Sequence, residues 1–79
     1  MKRQILIITK HAKSRIKERL GLPKRCHNRH IQKVLRQGLL LSRKGQEEFN
    51  LLYQGFKYIF KLDDFLKPIL ITTYKDTQL

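Results

Sequence analysis

Acidic residues are scarce in this chain. Six Asp and Glu stand against eighteen Lys and Arg in 79 residues, a formal net charge of +12. Charge of this size exceeds what solubility needs and repels itself in a compact state, so a polyanion that relieves it is expected. Cysteine is nearly absent as well. The single Cys26 excludes an internal disulfide and fits a reducing cytoplasm. No apolar run approaches the roughly 18 residues of a spanning helix. The longest, Ile5–Ile8 and Leu39–Leu41, have the length of strands. The start, Met1-Lys2-Arg3-Gln4, resembles that of a signal peptide. Its apolar core is too short and runs at once into Lys10 and His11, so no export signal is read and a cytoplasmic location is expected. There is no glycine-rich phosphate loop and no serine elbow. Asp63 and Asp64 are adjacent and read as a turn, so a two-metal nuclease, and a metal or cofactor in general, is not expected.

What is present is enough for one folded domain, 1–79. Apolar residues make up 41%, an ordinary share for a globule and too high for a disordered tail. Residues 4–9 are β-branched and apolar and predict a buried strand. From residue 10 the period changes. Ala12, Ile16 and Leu20 recur every four residues and predict a helix over 10–20, with Thr9 as N-cap and Gly21 as its end. A second helix is predicted over 23–37, with His27, Ile31, Val34 and Leu35 inward and Gly38 as the stop. Strands follow at Leu39–Arg43 and Phe49–Tyr53, then a Gln54-Gly55 hairpin turn. Phe56, Tyr58 and Phe60 form one buried strand face, and a last, central strand covers Ile69–Lys75. The fold class read from this order is α+β: β-α-α-β-β-β(β), two helices packed on one mostly antiparallel sheet.

The charge is concentrated. Residues 10–44 hold twelve of the eighteen cations and one acid, Glu18. Ordinary helix surfaces interleave acids at i,i+4. This stretch therefore reads as a nucleic-acid-binding face, with Lys13, Lys17, Lys24, Arg25, Arg29, His30, Lys33, Arg36, Arg43 and Lys44 as candidate contacts. Tyr53, just before the hairpin turn, is the candidate base platform. Cys26, His27 and His30 lack the spacing of a closed zinc site.

One helical stripe could carry chemistry. His11, Arg15 and Arg19 are spaced i, i+4, i+8, with Lys10 beside them. RNA cleavage needs a base for the 2′-hydroxyl proton and fixed cations against the charge growing on phosphate. The same stripe also serves a protein that grips phosphate and cuts nothing, and both readings stay open.

The segments Ile8-Thr-Lys-His-Ala-Lys-Ser-Arg-Ile-Lys-Glu-Arg-Leu-Gly-Leu22, Tyr53-Gln-Gly-Phe-Lys-Tyr-Ile-Phe60 and Leu70-Ile-Thr-Thr-Tyr74 resemble a group of small phage and mobile-element proteins. In these a His-Ala-x-x-Arg-x-x-Glu-Arg helix precedes a sheet ending in Ile-Thr-Val-Tyr. The group is similar to the RelE/BrnT-like toxins and, more widely, to the barnase–EndoU–colicin–RelE class of metal-independent ribonucleases. The resemblance implies an endoribonuclease, a toxin or phage accessory protein, cleaving tRNA, mRNA or ribosome-bound RNA through a 2′,3′-cyclic phosphate. It implies His11 as acid/base residue, Arg15 and Arg19 as phosphate ligands, Lys10 as an auxiliary cation and Thr72 or Thr73, here Thr73, as a last-strand catalytic position. An acidic antitoxin or immunity protein is the implied partner. The alternative is a non-catalytic phage RNA- or DNA-binding protein, or an inhibitor acting within a host-defence nucleoprotein complex.

Overall fold

The computed structural model describes residues 6–45 and 47–75. The element order is β1 (Ile7–Ile8), α1 (Lys10–Leu20), α2 (Lys24–Gln37), β2 (Leu39–Lys44), β3 (Glu48–Tyr53), β4 (Phe56–Leu62) and β5 (Pro68–Lys75). Two helices lie on one face of a five-stranded sheet ordered β1-β5-β4-β3-β2. Every pairing is antiparallel except that of β1 with β5. The α+β order expected from the sequence is the observed one.

α1 begins where the sequence places it. Thr9 is extended, and its Oγ1 accepts from the Ala12 amide at 3.1 Å while donating to the Leu70 carbonyl at 3.0 Å. One hydroxyl thus caps the helix and ties it to β5. Thr9→Ala removes both bonds and is expected to lower stability by about 1–2 kcal/mol, read as a shift of the urea midpoint. Ala12 and Ile16 are fully buried. α2 starts one residue later than expected, with Pro23 as its N-cap, and buries His27, Ile31 and Val34. Gly38 ends it in extended backbone. A Cβ there would meet the Val34 carbonyl oxygen at 2.6 Å and Leu51 Cβ at 3.2 Å. Close approach, not turn geometry, demands this glycine.

The core is one cluster: Ala12, Ile16, Ile31, Val34, Leu51, Tyr58, Phe60 and Leu70. In the β3–β4 hairpin, Gln54 (φ 51°) and Gly55 (φ 83°) both take positive φ, the two-residue turn that matches strand twist. β5 lies between β1 and β4, an interior strand as its apolar character predicts.

The first strand is a correction. Within the described part of residues 4–9 only Ile7 and Ile8 pair, and Ile7 is 43% exposed. Residues 4 and 5 lie outside the described residues. An apolar run looks the same at an edge as in the interior, and β1 is an edge. β2 is the other edge, exposed along its whole length, Leu39, Leu40 and Leu41 included. Among the described residues no helix is long and apolar enough to cross a membrane.

Candidate nucleic-acid interface

The sheet takes the inner face of each helix, so the cations are left on the outer one. Each helix carries five Lys or Arg, and Glu18 is the only acid in either. Lys10, Lys13, Lys17 and Arg19 of α1 are exposed, as are Lys24, Arg25, Arg29, Lys33 and Arg36 of α2; Arg15 is half-buried. Arg25, Arg29 and Arg36 recur at helical spacing along the outside of α2. Arg43 and Lys44 lie on the exposed edge strand next to α2 in sequence. Arg43 pairs with Phe49 on the helix side of the sheet, whereas Lys44 pairs with Glu48 on the other side together with Lys61. The ten helical cations therefore form one layer, and Lys44 lies outside it.

The first turns of both helices contain no acid. Cations at the positive end of a helix dipole are unfavourable, and bound anions reverse that. The only ion pair among the described residues joins Arg15 to Glu18 at 3.3 Å, on the solvent side of α1. It occupies part of one guanidinium in the His11–Arg15–Arg19 stripe. His11 is exposed in the first turn, and its ring makes no hydrogen bond with a described residue. Thr73 is fully buried beneath the helices, and its hydroxyl donates to the Lys57 carbonyl at 2.9 Å. The stripe and Thr73 thus occupy different environments, one open to solvent and one enclosed.

A second polar cluster was not legible in the sequence. His30 Nε2 is hydrogen-bonded to the Tyr58 hydroxyl at 2.9 Å, and the Thr73 side chain lies close to that hydroxyl. The Tyr53 ring stands edge-on to His30, centroids 5.9 Å apart, and its hydroxyl donates to Gln37 at 3.3 Å. Tyr53, expected as a base platform, is half-buried against α2.

Burial, with Lys33 and His27 adding to it, holds His30 below the ordinary histidine value. Burial pushes the Tyr58 phenol up to about 12, and the nearby Thr73 side chain opposes that only in part. Both shifts favour the neutral form in the fold. For Tyr58 the sign is definite. The unfolded phenol ionises near 10 and the folded one near 12, so stability present below pH 10 is lost as pH rises through that window. Spectrophotometric titration should show one of the three tyrosines ionising only as the protein unfolds. For His30 the loss lies on the acid side, below about 6.5, where the unfolded chain takes up the proton first.

Asp63 Oδ1 accepts from the Phe65 and Lys67 amides, both at 2.8 Å, as a turn residue does. No group of His, Cys, Asp and Glu among the described residues is arranged to hold a metal. Compared with known proteins, the chain matches no family model, no curated protein and no solved structure.

Proposed function

We propose that this protein binds nucleic acid, RNA foremost, on the outer surface of its two helices, in the cytoplasm of a bacterial or phage-infected cell. The observation that carries this reading is the helical layer itself: ten Lys and Arg on two adjacent helices with one acid between them. The sheet and its loops give a far smaller excess, six Lys and Arg against four acids among the described residues. Such a surface follows a phosphate backbone and selects little by base. The same charge suits an acidic protein partner that competes with RNA, as an antitoxin or immunity protein would. Binding of labelled RNA tests the reading. Arg19→Ala should weaken binding severalfold and His11→Ala should leave it near wild type, because a phosphate contact is lost only in the first. Wild type that ignores RNA at low salt contradicts the reading.

The second reading is metal-independent RNA cleavage, favoured by one observation: the half-buried His30 imidazole, hydrogen-bonded to Tyr58 and held below the ordinary histidine value, beside Lys33 of the cationic layer. A base takes the 2′-hydroxyl proton, O2′ attacks phosphorus, and the 5′-oxygen leaves protonated, giving a 2′,3′-cyclic phosphate. His11 and His30 are the two candidate bases, with Arg15, Arg19 and Lys10 beside the first and Lys33 beside the second. Incubation with total RNA in EDTA distinguishes them. The reading predicts cyclic-phosphate ends that vanish with one of His11→Ala or His30→Ala; intact RNA with wild type ends it.

A further inference from the structure

Three lysines and a buried imidazole meet where α1 and α2 converge, next to the Gly21–Pro23 connection. The open groove there, about 560 Å³, is lined by Lys13, Ser14 and Lys17 of α1 and by Pro23, Lys24 and His27 of α2. The three lysines are exposed, and no acid among the described residues pairs with them. α2 begins at this groove under electrostatic strain. Pro23 offers no side-chain cap, the first turn has no acid, and Lys24 and Arg25 put positive charge at the positive end of the helix dipole. An anion seated here relieves all three.

His27 is an independent observation. The residue is 3% exposed, and its Nε2–H donates to the Leu22 carbonyl at 2.9 Å. Its Nδ1 is buried with no hydrogen-bond partner among the described residues. Buried polar atoms are nearly always paired, so an orphan in the wall of a groove calls for a ligand group. In the neutral ring Nδ1 is an acceptor. A hydroxyl can pair with that neutral ring directly, whereas a phosphodiester oxygen, also an acceptor, can do so only if the ring takes up a proton. A ligand with anionic oxygens and a hydroxyl on neighbouring atoms suits both the lysines and the imidazole.

We propose that the groove holds one ribose phosphate of an RNA strand. The phosphate lies among Lys13, Lys17 and Lys24 at the start of α2, and the 2′-hydroxyl donates to His27 Nδ1. Ser14, exposed on the groove wall, supplies a further hydroxyl to the phosphate. This site deepens the nucleic-acid reading and rests on it, and it gives that reading a preference that charge alone lacks. A cationic layer does not distinguish RNA from DNA; an acceptor placed for the 2′-hydroxyl does.

The test uses the intact protein with a short RNA and the 2′-deoxy oligomer of the same sequence. RNA should bind about tenfold tighter than DNA, and Lys17→Ala should cost RNA about tenfold, the size of one good polar or charged contact. Lys61→Ala, the same loss of charge on the opposite sheet face, should cost about twofold for either oligomer. The ring nitrogen resonance of His27 Nδ1 should move when RNA is added and stay when DNA is added. Equal affinity for the two oligomers, equal effects of the two lysine changes, or an unmoved Nδ1 resonance with RNA bound overturns the groove and leaves the nucleic-acid reading standing. Failure of both oligomers to bind overturns both.

Discussion

Phe60→Ala is expected to leave the protein largely unfolded at 25 °C. Phe60 is fully buried in β4, stacked on Phe49 with centroids 5.2 Å apart, beneath the helices. Truncating such a ring costs about 3–5 kcal/mol, through lost transfer energy and the cavity left behind. Domains of this length have about 4–12 kcal/mol in total. With a charge of +12 opposing compaction, this one belongs toward the lower part of that range. Urea titration of the two proteins reads the effect. Leu40→Ala is the control: Leu40 is 52% exposed on the edge strand, and its loss should move the midpoint little. A Phe60→Ala protein with a wild-type midpoint would mean that the core is not organised around β4.

Lys24→Glu with Arg25→Glu is expected to strengthen the fold and abolish much of the binding. Acids in the first turn of α2 complement its dipole and are worth about 0.3–1 kcal/mol each. Each reversal also removes two charges, taking the net value from +12 to +8 and easing self-repulsion. RNA meets the same change as two contacts turned repulsive, which should cost about 100-fold or more at low salt. Thermal unfolding and RNA binding on one sample would show the two effects with opposite sign. That opposition marks a surface kept for a ligand at the expense of stability. A variant that loses stability together with affinity would show that these cations serve the fold instead.

Much of the architecture was legible because its signals are local. The 3.6-residue period of Ala12, Ile16 and Leu20, the Thr9 cap and the Gln54-Gly55 turn each depend on a few neighbouring residues, and each stands as read. The edges were not legible. Ile7 and Leu39–Leu41 are as apolar as core strands, and only the strand order puts them at the rim. The His30–Tyr58–Thr73 chain was hidden for a different reason. Leu70 and Thr73 have opposite parity, so strict alternation puts them on opposite faces. The pairings Phe60 with Leu70 and Ile59 with Thr72 leave Ile71 as an extra residue, and this bulge turns both Leu70 and Thr73 toward the helices. A bulge is a property of two strands together and has no signature in one. His30, at the border of the apolar and basic faces of α2, looked like another basic contact until the register placed Tyr58 beneath it. The candidate base His11 was found by pattern alone, and its surroundings became visible only in three dimensions.

The cationic helical layer is best tested by the salt dependence of RNA affinity. Replacing counterions at about six phosphates predicts that log affinity falls with log salt at a slope near −4, so affinity drops by two to three orders of magnitude between about 50 and 200 mM. A slope near zero, with RNA still bound, would mean that the helices are not what holds it.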